Sequence, residues 1–201
     1  MNANGKRPAS TEDENVLSTK RSKKQFSSDI FLCVSYLNGH KYIHIRKHFQ
    51  SAGGQMLPTR EGAVFTDRRF AVLLSIQHEL DARYFQWSNS LDVEEYERFI
   101  GGGWCIRIHP TTFMIEIRKY FHLGKANERR PTKTGIQFHL QDWRYLAECI
   151  EELCQVDPGL RDVVPCFSTH ETYEDSLQCY ECSPFYMRKP KSEPKPFNVD
   201  L

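Results

Sequence analysis

The chain has 201 residues, 26% of them charged, and a formal net charge of +1. That length admits one or two domains, and the near-zero balance excludes any argument about partners from whole-chain charge. No apolar run approaches the roughly 18 residues of a membrane span, the polar start does not read as a secretory leader, and seven cysteines without a regular framework predict free thiols in a reducing compartment.

Residues 1–28 are rich in Lys, Ser, Asn, Glu and Asp, a composition that cannot bury enough surface to offset ordering. A disordered tail is therefore expected. It carries Lys6-Arg7 and Lys20-Arg21-Ser22-Lys23-Lys24, two basic clusters separated by Pro8 to Thr19. This spacing on a flexible tether reads as a bipartite nuclear-localisation signal, built on Lys6, Arg7, Lys20, Arg21, Lys23 and Lys24. A merely solubilising tail is the alternative.

Ile30 to Leu37 forms the first expected strand, ending at Asn38-Gly39, a strong hairpin signal. Ile43 and Ile45 alternate with His44 and Arg46, which predicts a strand with one buried face. A loop bearing Arg60 follows, then a short strand at 62–65. The period changes next: Phe70, Leu73, Leu74, Gln77 and Leu80 fall at helical spacing, with Thr66 or Asp67 as N-cap. Residues 83–99 read as a linker. Strands are then expected at Trp104 to Ile108, turning near Pro110, and around Ile115 and Ile117. A basic loop follows, then Gly135 to Phe138, then a helix through Trp143, Leu146, Ile150 and Leu153.

The second series repeats the first. Ile43 to Phe49 and Ile115 to Phe121 share five of seven residues. Pro58-Thr59 matches Pro131-Thr132, Gly62 matches Gly135, Phe65 matches Phe138 and Phe70 matches Trp143. Two units are predicted, 29–82 and 100–160. One unit alone has a thin core for its size, so the two are expected to pair within the chain.

The charge is polarised. In the strand-and-loop part of the second unit Arg107, Arg118, Lys119, Lys125, Arg129, Arg130 and Lys133 oppose Glu116 and Glu128, while its helix carries Asp142, Glu148, Glu151 and Glu152 against Arg144. A basic sheet with aromatics suits single-stranded nucleic acid, whose phosphates take Arg and Lys and whose bases stack on rings. Phe49, Tyr120, Phe121 and Trp104 are the candidate stackers; a solvated charged face over core aromatics is the alternative.

Beyond the units, residues 161–187 contain Cys166, His170, Cys179 and Cys182. The spacing Cys-x3-His-x8-Cys-x2-Cys makes them a candidate tetrahedral zinc set, against the alternative of scattered thiols. Alternating Pro and charged residues make 188–201 a solvated tail. No Cys/His nucleophile pair, phosphate-binding glycine loop or carboxylate pair stands out, so no enzymatic activity and no cofactor are expected.

At Ile115-Glu116-Ile117-Arg118-Lys119-Tyr120-Phe121, Arg130 to Ile136 and Gln141-Asp142-Trp143, and again at Ile43 to Phe49 and Met56 to Gly62, the chain resembles the C-terminal domain of the transcriptional coactivator positive cofactor four. The resemblance implies an α+β fold: two copies of a four-stranded antiparallel curved sheet followed by one helix, paired as an intramolecular pseudo-dimer. It implies basic channels that take single-stranded or unwound DNA, a nuclear coactivator role with transcription factors and the RNA polymerase II machinery, and no catalysis. The strand arginine falls on Arg46 and Arg118, the terminal aromatic on Phe49 and Phe121, and the loop bases on Arg60, Arg130 and Lys133. Lys41 of the first hairpin and Arg129 complete the expected nucleic-acid-binding set. Leu57, Glu61 and Thr134 stand where the family is basic, which keeps open a protein-interaction adaptor, and phosphate and stacking contacts alone leave RNA open too.

Overall fold

A computed structural model of the chain describes residues 23–122 and 128–183. It contains two four-stranded antiparallel sheets, each in simple meander order and each followed by helix. The first holds β1 (Lys23–Gln25), β2 (Ile30–Leu37), β3 (His40–Gln50) and β4 (Met56–Thr66), then α1 (Asp67–Ser75) and α2 (Gln77–Ser88). The second holds β5 (Tyr96–Gly101), β6 (Trp104–His109), β7 (Met114–His122) and β8 (Arg129–His139), then α3 (Trp143–Val156). The extension contributes short turns and α4 (Tyr173–Gln178).

Turn chemistry sets the registers. Asn38 and Gly39 have φ of 51° and 78°, as a type I′ turn requires, and place Leu37 opposite His40. Gly102 and Gly103, at 59° and 76°, do the same between β5 and β6. The first register puts Leu32, Val34, Ile43 and Ile45 on one buried face, where each such side chain contributes about 1.5–3 kcal/mol over an exposed one. Ile106, Ile108, Ile115 and Ile117 occupy the matching positions in the second sheet.

Both sheets carry the same bulge. β3 pairs Arg46 with Gly62 and His48 with Pro58, so Lys47 faces Thr59, Arg60 and Glu61 together. β7 pairs Arg118 with Gly135 and Tyr120 with Pro131, so Lys119 faces Thr132, Lys133 and Thr134. The Thr59 hydroxyl donates to the Lys47 carbonyl at 3.0 Å and accepts the Glu61 N–H at 3.1 Å. Thr132 repeats this with Lys119 and Thr134, at 2.8 and 3.1 Å. Close approach explains the glycine that follows: a Cβ on Gly62 would lie 2.9 Å from the Ile45 carbonyl oxygen, and on Gly135 2.7 Å from that of Ile117.

Thr66 caps α1 by accepting the Arg69 N–H at 3.3 Å. The single helix expected for the first unit is interrupted at Ile76, just after Ser75, whose hydroxyl donates back to the Val72 carbonyl at 2.8 Å in competition with the helical ladder. It then continues as α2 to Ser88, so the expected linker at 83–99 is mostly helix end and the start of β5. The expected disordered tail likewise reaches too far, because Lys23–Gln25 pairs with Phe31–Cys33 as an edge strand.

The two units share one contiguous hydrophobic core. β4 lies beside β8 and α2 packs on α3. Phe65 of the first sheet meets Trp104 at a centroid distance of 6.5 Å, and Phe138 of the second meets Phe26 at 5.5 Å. The buried Trp143 indole N–H donates to the Asp81 carboxylate at 2.7 Å, tying α3 to α2. Among the described residues no helix is long and apolar enough to cross a membrane.

Candidate nucleic-acid interface

Strand alternation carries Lys23, Phe31, Cys33, His44 and Arg46 to the sheet face opposite the core, through the cross-strand pairs Lys23 with Cys33, Phe31 with Arg46 and Cys33 with His44. Arg46 donates from Nη1 to the Thr59 carbonyl at 3.0 Å, which fixes its guanidinium at the bulge. Among the described residues it forms no ion pair. The Lys23 ammonium lies 4.4 Å over the Phe31 ring, and His48 meets the same ring edge-on at 4.6 Å. Arg60 projects into solvent from the bulge.

Burial, reinforced by the Arg46 charge, pulls His44 down to about 4. Its Nε2 sits 2.7 Å from the Ser35 hydroxyl. Burial also lowers His48. Both are neutral at pH 7, so the positive character of this face comes from Lys23, Arg46 and Arg60. Lys47 is held by Asp29 at 3.3 Å and stands 4.0 Å from Glu61.

The second sheet has the same geometry and different electrostatics. The registers put Glu97 where the first sheet has Lys23, and Glu116 where it has His44. Arg118 donates to the Thr132 carbonyl at 2.9 Å, as Arg46 does to Thr59, but is also ion-paired with Glu116. Arg107 pairs with Glu97 at 3.0 Å and donates to the Tyr120 hydroxyl at 3.3 Å, which itself donates to Glu116 at 3.4 Å. Arg129 pairs with Glu97 and lies 5.0 and 4.9 Å from the Phe99 and Tyr120 ring centres. The cations of this face are thus largely matched by its own carboxylates. Arg130 and Lys133 are exposed, Lys133 on the bulge that matches that of Arg60.

The structure therefore brings Arg46 and Arg60 to one bulge, and Arg118 and Lys133 to its counterpart. Phe49 and Phe121 are exposed at the far ends of β3 and β7. Lys41 is a correction: it shares strand parity with Ile43 and Ile45, so it lies on the helix side and pairs with Asp157 after α3. Trp104 and Tyr120 are not available for stacking as expected, since both are buried, Trp104 against Phe65 and Tyr120 under Arg129. Lys6, Arg7, Lys20 and Arg21 lie outside the described residues, as does Lys125. Lys23 and Lys24 belong to β1, and Lys24 pairs with Glu152 of α3. Cys166, His170, Cys179 and Cys182 converge, with all four donor atoms within 4.8 Å of one another.

Residue patterns alone missed Lys23 and Phe31 as members of the Arg46 face and Glu97 as a neutralising group, and they named Glu116 as an acid of the second unit without its pairing to Arg118. The first pair was recoverable: an Asn-Gly turn that sets Leu37 opposite His40 necessarily sets Phe31 opposite Arg46.

No protein-family model matches the chain, and no curated protein matches it. Among solved structures, one described as "The crystal structure of MoSub1-DNA complex reveals a novel DNA binding mode" is similar over 40% of this chain and 100% of that chain, at 18% identity and a TM-score of 0.31.

Proposed function

We propose that this protein binds single-stranded or unwound DNA in the nucleus and serves RNA polymerase II transcription as a coactivator without catalysing a reaction. In this reading its two units form an intramolecular pseudo-dimer and the first sheet carries most of the DNA contact. The observation that carries it is Arg46: a guanidinium anchored at a bulge by a backbone carbonyl, beside Lys23 and Arg60, with no acidic partner among the described residues. Fixed cations on one sheet face are what the phosphates of a flexible single strand engage; Phe49, exposed near the end of β3, has the strand parity of Ile43 and Ile45 and is not part of that cluster. The family resemblance adds the coactivator role and the polymerase partners. The nuclear address rests on Lys6, Arg7, Lys20 and Arg21, because Lys23 and Lys24 are engaged in β1.

Titration of labelled single-stranded DNA, duplex DNA and RNA over a range of salt tests the reading. It expects tight binding to single-stranded DNA, with log K falling by about 0.7 per phosphate contact for each unit of log salt. Weak, salt-insensitive binding to all three would overturn it, and preference for RNA would move the substrate class. Substitution of Lys20 and Arg21 in a fluorescent fusion tests the nuclear address. The adaptor reading is favoured by one observation, the self-neutralised face of the second sheet, which suits a surface that no longer competes for phosphate.

A further inference from the structure

We infer that Cys166, His170, Cys179 and Cys182 bind one zinc ion in a closed structural site that fastens the C-terminal extension across both units. Zn–S bonds of about 2.3 Å and a Zn–N bond of about 2.05 Å give a tetrahedron with S–S edges of about 3.8 Å and S–N edges of about 3.6 Å. Here Cys166 Sγ lies 3.5 Å from Cys179 Sγ and 3.6 Å from His170 Nε2, and Cys182 Sγ lies 3.3 Å from His170 Nε2. The remaining donor pairs also fall within 4.8 Å. A disulfide needs about 2.05 Å between sulfurs, so the cluster has the edges of a coordination polyhedron rather than those of a cystine. Three thiolates and one imidazole select zinc among the common divalent ions. Four protein ligands leave no open position, which marks the site as structural rather than catalytic.

The surroundings agree. Three thiolates on a divalent ion leave one net negative charge, and Arg68 Nη1 lies 3.8 Å from Cys166 Sγ to meet it. The extension has little core with which to hold itself, since α4 buries none of its residues. Yet it docks precisely. Glu181, inside the Cys179-x-x-Cys182 turn, accepts from Arg69 at 2.9 Å and from the Thr66 hydroxyl at 2.9 Å, at the N-terminus of α1. The same turn lies on the β5–β6 corner, where a Cβ on Gly101 would fall 2.3 Å from the Glu181 carbonyl oxygen. The ion therefore organises a clamp that touches the first unit at α1 and the second at β5.

Metal analysis and native mass spectrometry of the purified full-length chain, with Co2+ substitution, test this. The expected result is one zinc per chain, and a cobalt form with thiolate-to-cobalt charge-transfer bands and the d–d spectrum of a tetrahedral site. Cys182→Ser and Cys179→Ser should each abolish stoichiometric zinc, while Cys33→Ser, outside the cluster, should retain it. Chelation should expose 161–183 to protease while single-stranded DNA binding persists, so failure here is distinguishable from failure of the proposed function. A chain that neither carries nor takes up zinc or cobalt, substoichiometric zinc that survives Cys182→Ser, or a Cys166–Cys179 disulfide found by mass would each overturn the inference.

Discussion

Replacing Arg46 and Arg118 by alanine, one at a time, separates a binding arginine from a structural one. Arg46 makes one backbone hydrogen bond, to Thr59, and no ion pair among the described residues. Its loss costs about 1 kcal/mol of stability and removes a phosphate contact, so the slope of log K against log salt for single-stranded DNA falls by about 0.7. Arg118 has a comparable bond to Thr132 but also compensates Glu116, whose side chain is only 10% exposed. Removing one partner of a buried pair costs about 3–5 kcal/mol. Arg118 is itself 22% exposed and the Tyr120 hydroxyl remains on the carboxylate, so about 2–3 kcal/mol is expected. Its salt slope should hardly change, because its charge is already spent. Fluorescence anisotropy across a salt series reads the slopes, and urea unfolding reads the stabilities. Equal slope losses, or a larger loss for Arg118→Ala at unchanged stability, would refute the assignment of binding to the first sheet.

The converse substitution, Glu116→Gln, keeps hydrogen-bonding atoms near Arg118 but removes the charge, so it should strengthen single-stranded DNA binding and steepen its salt slope by about 0.7; an unchanged slope would mean the second face is not in reach of the strand. Asp81→Ala leaves the buried Trp143 indole N–H without its acceptor and should cost about 1–3 kcal/mol in urea unfolding. His44 sets a pH dependence: its folded value of about 4 lies below the unfolded 6.5, so the unfolded chain takes the proton first. The stabilisation is complete above pH 6.5 and is lost as pH falls toward 4, amounting to on the order of 3 kcal/mol. Urea unfolding at pH 7 and pH 4.5 should show a smaller loss for His44→Gln than for the wild type, the carboxylates being common to both.

Much of the fold was legible because its determinants are local. The Asn-Gly turn, the Ile-x-Ile alternation and the shift to helical spacing at Phe70 and Trp143 each specify an element from neighbouring residues. β1 and β5 were not legible, since Lys23–Gln25 is wholly exposed and Tyr96–Gly101 buries only its first and fifth residues. Edge strands of this kind take their order from the partner's hydrogen bonds, which leave no apolar period behind. The candidate site was half legible for a related reason. Cations are visible as residue types, but their neutralisation depends on which carboxylate stands across the ladder, and Glu97 meets Arg107 only through β5.

The two bulges hold the shared arginine by the same bond and leave its charge in different states. Arg46 and Arg118 occupy the same place in the repeat, each donating to the carbonyl of the bulge threonine, with the next glycine pressed against the preceding strand. That carbonyl is turned out of the ladder by the bulge and needs a donor. The arginine, threonine and glycine therefore form a backbone device whose first duty is to satisfy the bulge, and it is built the same way in the sheet whose arginine is already paired with a carboxylate. Whether the arginine's charge is left over for phosphate depends on the residues that surround the device: His44, held neutral by burial, and Lys23 in one sheet, against Glu116 and Glu97 in the other. A motif match at the arginine marks the bulge. Only the charge across the ladder distinguishes a face that can take phosphate from one that has already bound its own carboxylates.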